Sequence, residues 1–356
     1  MPEAIKIAVT GGGTAGHTLP GIAFLQAFRR EWGAEGYFIG CAGGFETRLV
    51  SAGGERLELI PGGPWARQNA MGQLRAALNI PRGVLAARAL LRREKTELLI
   101  GAGGYASFGA CLAARSLQIP VVIYESNAEL GMANRILEKF AALVCVAFGE
   151  TGFGITKPVE ITGVPLASLH PSTWRAAAPW RFLVLGGSEG SPPLNEEAPR
   201  LFAALKERGI GFSVRHIAGF GDLAAISAQY AAAGIDASVE GFTNDMASVY
   251  DGVTFAITSA GIHTLAELSA AGIPSLIVPL SGAARNHQFA NASLYAARTG
   301  AKVIPETEWH AGNAAAWLAE MLNNPEALHT LHRDAASWVN RNAALAMVKA
   351  CERLIQ

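Results

Sequence analysis

Short apolar runs alternate along this chain with longer stretches of helical period. The runs at 5–9, 36–40, 97–101, 120–124 and 143–147 fall in the first half, and those at 181–185, 212–217, 237–240, 254–258 and 275–279 in the second. They read as strands, and their alternation with helices predicts βαβ units and buried parallel sheets. The segment GITKPVEITGVPLASLHPSTWRAAAPW, 154–180, breaks the alternation. Its Pro, Gly, Ser and Thr content predicts a linker and hinge. The last stretch, from about 312 to 356, is Ala-rich and helical. The pattern predicts two α/β domains, residues 1–165 and 166–334, facing each other across a cleft near the linker. The terminal helices, about 335–356, are expected to pack back toward the first domain.

Composition narrows the class. At 356 residues, half of them hydrophobic and 16% charged, the chain is long enough for two such domains. Lys and Arg together number 29, as do Asp and Glu, so the net charge is zero and overall electrostatics do not suggest nucleic acid. Cys41, Cys111, Cys145 and Cys351 are far apart and form no metal-ligand pair. They read as reduced, mainly buried thiols of a cytoplasmic protein, with no metal site expected. No segment is long and apolar enough to span a bilayer.

Two glycine-rich turns stand where a strand gives way to a helix. They are IKIAVTGGGTAGHTLPGIAFLQAF, 5–28, and FLVLGGSEGSPPLNEEAPRLFAAL, 182–205. Unpaired N–H groups and the helix dipole make such a turn a ready anion site, and phosphate is the usual anion. Gly11, Gly13 and Gly16 match G-x-G-x-x-G, but a dinucleotide site also needs an acid at the tip of the second strand. That strand ends YFIGCAGG with no acid there. A third Gly-rich turn, IGAGGYASFGA at 100–110, also follows a strand. Three loops favour a polyphosphate or two phosphorylated substrates over a single dinucleotide.

Several side chains near these turns carry candidate chemistry. His17 follows the first loop at a helix start, as a general base, a phosphate contact or a plain structural imidazole. Glu125 ends a buried strand in YESN, 124–127, either in a ligand crevice or capping the next helix. Asn127 offers donor and acceptor to a sugar or peptide. Glu267 lies in TLAELSAAGIP, 264–274, either solvated or aimed at two ribose hydroxyls. In NHQFANA, 286–292, Asn286 is explained by capping, while Gln288 and Asn291 lie three apart and can share a face.

These motifs together resemble one family. GGTAGH, GAGGYAS, YESN, GMANRIL, GGSEG, FTNDM, TLAELSAAGIP and HQFANA occur in the order and spacing of the MurG family. Its members add N-acetylglucosamine to lipid-linked N-acetylmuramyl-pentapeptide in peptidoglycan synthesis. The resemblance implies an α/β fold of the glycosyltransferase B architecture, with two Rossmann-like domains facing a cleft. It implies an inverting, metal-independent reaction that needs no cofactor. The donor is UDP-N-acetylglucosamine and the acceptor is undecaprenyl-diphosphate-linked. On the acceptor side it implies that the first loop, with Thr14, Gly16 and His17, and the third, with Gly103, Gly104 and Tyr105, hold the acceptor's diphosphate side, with Glu125, Asn127 and Asn134 lining the cleft. His17, Glu125 and Asn127 are the catalytic candidates. On the donor side it implies Ser188 at the diphosphate, Thr243 at uracil, Thr264 and Glu267 at the ribose-binding helix, and His287 and Gln288 at the sugar. The family's GGTGGH has Ala15 here, its HEQN has Tyr124 and Ser126, its arginine in G-N-P-V-R is Ala167, and its S-G-A turn is AGI, 260–262, preceded by Ser259.

Residues 65–95 carry Arg67, Arg75, Arg82, Arg88, Arg92, Arg93 and Lys95 against Glu94, interleaved with Leu74, Leu78, Ile80, Val84 and Leu85. The stretch reads either as an amphipathic helix with a solvated face or as a patch for an anionic membrane surface. The resemblance places the family's membrane-facing patch here, which implies a cytoplasmic protein peripheral on the inner face of the cell membrane. Related readings are a transferase with another lipid or natural-product acceptor, a UDP-sugar 2-epimerase, and a non-catalytic nucleotide-sugar-binding protein.

Overall fold

A computed structural model describes residues 4–355, except 43, 45, 64–69, 167–173, 188–189, 244 and 282–286; for 70–78 it describes the backbone alone. The chain forms two compact units, Met1–Ala167 with Asn340–Gln356, and Ser168–Val339.

The first unit is a βα alternation built on one sheet. Its strands are β1 (Lys6–Thr10), β2 (Glu35–Cys41), β3 (Leu57–Ile60), β4 (Leu98–Gly101), β5 (Val121–Glu125), β6 (Leu143–Val146) and β7 (Val159–Ile161). Its helices are α1 (Ala15–Trp32), α2 (Glu46–Ala52), α3 (Ala70–Arg93), α4 (Gly104–Ser116) and α5 (Met132–Leu137). Among the described residues the strand order is β3-β2-β1-β4-β5-β6-β7, all parallel. Side chains alternate between two apolar layers, as the strand period requires. Ile7 and Val9 face α1, with Phe24 and Phe28, whereas Ala8 joins Leu99, Ala110 and Ala113 on the other face. Phe24 meets Tyr124 edge-on at 4.9 Å between ring centroids. α1 stops at Gly33, whose left-handed backbone lets its N–H reach the Arg29 carbonyl.

The second unit repeats the plan. Its strands are β8 (Trp180–Leu185), β9 (Phe212–Ile217), β10 (Ala237–Glu240), β11 (Phe255–Thr258), β12 (Ser275–Ile277) and β13 (Lys302–Val303). Its helices are α6 (Pro192–Glu207), α7 (Leu223–Ala232), α8 (Met246–Tyr250), α9 (Ile262–Ala271), α10 (His287–Thr299), α11 (Ala311–Leu322) and α12 (Pro325–Trp338). The parallel order β10-β9-β8-β11-β12-β13 is that of a doubly wound dinucleotide fold. Phe182 and Val184 pack with Phe202 and Phe255 on one face, while Leu183 and Leu185 pack with Ile217 and Leu268 on the other. The last helix, α13 (Ala343–Cys351), belongs to the first unit, where Met347, Val348 and Cys351 join the layer of Ile7 and Phe24. Asn340 fixes the return by donating its amide to the Thr162 carbonyl, 3.0 Å.

Three strands escape the sequence pattern. β3, β7 and β13 are edge strands of two to four residues, too short to show a period. β7 lies inside the Pro- and Gly-rich segment that reads as linker; its pairing with β6 overrides that composition. The four cysteines are buried free thiols. Among the described residues no helix is long and apolar enough to cross a membrane.

Candidate functional site

Each sheet reverses its winding between two central strands, and there the connecting loops leave a crevice beyond the strand C-termini. In the first unit the point lies between β1 and β4. Thr10 is in register with Gly101, and the Ala102 N–H donates to the Thr10 carbonyl at 2.7 Å. The first and third glycine loops therefore stand side by side. Gly103 and Gly104 both take positive φ, 94° and 78°. A Cβ on Gly103 would stand 2.8 Å from the His17 ring, and one on Gly104 would strike the Gly12 carbonyl. The Tyr105 ring lies against Gly13, where a Cβ would stand 2.7 Å from it. Burial, Glu46 and Cys41 push the Tyr105 phenol up to about 12, so it stays protonated.

The tip of β5 joins this cluster. The buried Glu125 carboxylate uses both oxygens: Oε1 accepts from the Asn127 backbone N–H at 3.1 Å and its side-chain amide at 2.9 Å. Oε2 accepts from the Gly131 N–H at 2.8 Å and the Asn134 amide at 2.9 Å. Gly131 is the cap residue of α5, so of the two readings of Glu125 the local geometry supplies the cap. Four acceptor positions are about what a carboxylate has. Asn134 also donates to the Tyr124 carbonyl at 3.0 Å, which leaves its buried Oδ1 with no partner among the described residues. His17 lies 3.0 Å from the Thr14 hydroxyl through Nδ1, with its other nitrogen toward Gly103. Tyr124, where the family has histidine, is buried against Phe24 and donates to the Gly163 carbonyl at 2.9 Å. The first unit thus brings Thr14, His17, Gly103, Asn134, Glu125 and Asn127 together, with Gly104 and Tyr105 against the first loop and Gly16 in the first turn of α1.

Sequence reasoning missed Glu46. It lies five residues beyond the strand tip, on α2, yet it is fully buried and its carboxylate accepts from the Gly13 and Cys41 N–H groups, each at 3.1 Å. The glycines of GCAGG were the signal, because Gly40 and Gly44, together with Gly12 of the first loop, make room for this side chain.

In the second unit the point lies between β8 and β11, where the Ser259 N–H donates to the Leu185 carbonyl at 3.2 Å. The turn before α9 is clamped from α10. Gln288 Oε1 accepts from the Ala260 N–H at 3.1 Å and the Leu280 N–H at 3.0 Å, and buried Asn291 donates to the Ala260 carbonyl at 3.2 Å. Gln288 and Asn291 do share a face. With its oxygen engaged, Gln288 has its N–H groups to offer a ligand. Thr264 sits in the first turn of α9 and Glu267 one turn on, half-buried. Tyr250 donates to Glu267 at 2.7 Å, and the protein packed around this carboxyl pushes it up to about 7, against the pull of that hydrogen bond. The Thr243 hydroxyl accepts from the Asp245 N–H at 3.1 Å, ordering the turn before α8. His287 opens α10 with a buried Nδ1 that has no partner among the described residues. Ser188, Ala167 and Asn286 lie outside the described residues. Among the described residues no group of three His, Cys, Asp or Glu side chains is placed to hold a metal.

Comparison with known proteins decides which enzymes use such a pair of crevices. Residues 7–146 match the Glycosyltransferase family 28 N-terminal domain, and residues 181–347 its C-terminal domain. The UDP-N-acetylglucosamine--N-acetylmuramyl-(pentapeptide) pyrophosphoryl-undecaprenol N-acetylglucosamine transferase of Pseudomonas savastanoi pv. phaseolicola is 34% identical over 350 residues, covering 97% of this chain and 98% of its own. The enzyme of the same name from Pseudomonas fluorescens is 35% identical over 353 residues, with the same coverage. The chain belongs to this MurG family. It is a UDP-sugar glycosyltransferase of the glycosyltransferase B architecture. The crystal structure of MurG from Acinetobacter baumannii superposes with a TM-score of 0.80 at 27% identity, covering 98% of this chain and 99% of that one.

The basic stretch of α3 divides by use. Arg88 donates to the Ser116 carbonyl at 2.9 Å and to its hydroxyl, capping the end of α4. Arg93 pairs with Glu94 and Glu58, and Arg56 joins the same network. Arg82 and Arg92 are exposed, as are Ile80 and Leu85. Arg67 and the Arg75 side chain lie outside the described residues.

Proposed function

We propose that this chain transfers N-acetylglucosamine from UDP-N-acetylglucosamine to the C4 hydroxyl of lipid-linked N-acetylmuramyl-pentapeptide, with inversion at the anomeric carbon. The observation that carries this reading is identity of 34–35% running the full length of relatives bearing that name. The first unit takes the acceptor and the second the donor. In the second unit Glu267 receives two ribose hydroxyls, the backbone at Thr243 meets uracil, and Ser188 meets the diphosphate. His287 and the Gln288 amide donate to the sugar.

In the reaction a base removes the C4 proton as that oxygen attacks the anomeric carbon. The bond from that carbon to the phosphate oxygen breaks, and UDP leaves with the electron pair. His17 suits the base: the Thr14 hydroxyl at its Nδ1 orients the ring, and its other edge lies at the Gly103 loop. The unpartnered Asn134 oxygen accepts a hydrogen bond from the acceptor. Glu125 holds Asn127, Gly131 and Asn134 in place and acts through them. Backbone N–H groups at the starts of α6 and α9 stabilise the departing diphosphate, as fixed dipoles do at a developing charge.

The acceptor's lipid puts the reaction at a membrane surface. Exposed Ile80 and Leu85 on α3, Met132 and Ile136 on α5, and nearby-in-sequence Phe140 supply apolar contact, and Arg82 and Lys139 supply charge. That combination supports peripheral attachment to the inner face of the cell membrane. The test is incubation with UDP-N-acetylglucosamine, with and without lipid-linked N-acetylmuramyl-pentapeptide. UDP release that requires the acceptor, with product heavier by one N-acetylhexosamine, is expected. Epimerised or free sugar without acceptor would overturn the reading.

A further inference from the structure

The first glycine loop has the shape of an anion site, but a carboxylate of the chain itself already fills it. Glu46 is fully buried, and its two oxygens accept from the Gly13 and Cys41 N–H groups. Its seat is made of glycines. A Cβ on Gly12 would stand 2.5 Å from Glu46 Oε1, one on Gly40 2.6 Å from its Cγ, and one on Gly44 2.5 Å from Oε1. None of the three tolerates a side chain without moving the carboxylate. The same loop continues into Thr14 and His17, which bond to each other at 3.0 Å, and it stacks on Gly104 and Tyr105 of the third loop.

We propose that Glu46 is a positioning residue. Its carboxylate takes the place a phosphate would occupy at the first loop, fixes the Gly11–Gly13 turn, and thereby places His17. The acceptor's diphosphate is then left to the third loop. The physical reason is twofold. The Gly13 N–H is already spent, and a second anion beside a buried carboxylate is repelled. The departure from a dinucleotide site fits as well: no acid stands at the tip of β2 to meet ribose, and Glu46 beyond it is turned inward onto backbone. This inference rests on the reading that the first unit receives the acceptor only for the step that concerns the diphosphate.

The experiment follows the Gly13 amide by NMR in Gly-labelled protein without substrates, while inorganic phosphate or formate is added. In the wild type neither anion is expected to shift it. In Glu46→Ala, formate is expected to shift it saturably, because a small carboxylate refills the seat. Glu46→Ala should lower acceptor kcat/KM by about 10–100-fold, the worth of hydrogen bonds to a charged group, with donor KM unchanged and part of the loss restored by formate. Glu46→Gln keeps the volume and guards against a variant that fails to fold. It should lose acceptor kcat/KM with no formate rescue, since its amide still fills the seat. A saturable phosphate shift of Gly13 in the wild type would overturn the proposal, as would wild-type acceptor kinetics in Glu46→Gln. Wild type that shows the expected titration but no transfer would overturn the assigned reaction and leave the occupied loop standing.

Discussion

The two units share a winding order but treat the acids near their switch points differently. In the first, Glu46 and Glu125 are met by backbone N–H groups and asparagine amides, and both carboxylates serve the architecture of loops. In the second, Glu267 accepts from the Tyr250 hydroxyl alone among the described residues, and its carboxyl is pushed up to about 7 by the protein packed around it. A carboxylate whose acceptor positions are filled is a fixed part of the scaffold. One whose charge is poorly compensated gains when a ligand brings hydroxyl donors. On the proposed function the two units divide the work: the first presents side chains held by its acids, and the second presents the acid itself.

The sharpest break in that comparison is at His17. Replacing it with Ala should slow turnover by about 10²–10⁴-fold if it is the base, while donor affinity, read by calorimetry, stays the same. A raised acceptor KM with kcat intact would make it a binding contact instead.

Next in size is Glu125. Glu125→Ala strands the Gly131 and Asn127 N–H groups and the Asn134 amide, so it should cost about 2–4 kcal/mol in urea unfolding. It should raise acceptor KM through the 126–134 segment. An unchanged midpoint would show that the carboxylate is not holding that segment.

Glu267 tests the other side through pH. Ribose hydroxyls favour the ionised carboxyl, so donor affinity should rise with pH through about 7 and fall about tenfold per unit well below it. Stability runs the opposite way. The folded state raises this carboxyl above its ordinary value of 4.5, so its contribution is fully present below that value and is lost as pH climbs through about 7. Glu267→Gln should therefore bind donor weakly and without that pH dependence, and it should gain more in Tm at pH above 7 than at acidic pH. Donor affinity that is flat across this range in the wild type would remove Glu267 from the ribose.

The smallest effects separate the arginines of α3. Reversing Arg82 and Arg92 should weaken binding to anionic liposomes by about 1 kcal/mol each at most, and high salt should mimic the change. Reversing Arg88 should instead lower stability, because it removes the cap on α4. Equal liposome loss from all three would mean that the cap is incidental.

Residue pattern alone determined the alternation of strands and helices, the two α/β halves, and the places where glycine loops meet helix starts. These are local properties: a buried parallel strand must be apolar on both faces, and a close turn at a helix start must be small. Motif order was enough to indicate the family, since His17, Asn134, Glu267 and Gln288 keep their spacing from those turns. Only the tertiary structure decided what the acids do. Glu125 reads equally as a ligand residue or a helix cap until the donors from 127, 131 and 134 fold back onto it. The role of Glu46 is not legible from the glycines before it alone, because one of its partners, Gly13, comes from the end of another strand. Edge strands β3, β7 and β13 were likewise set by pairing and not by their own few residues. A side chain's charge is written in the chain, but whether that charge is spent inside the fold or kept for a ligand depends on donors brought to it from distant segments.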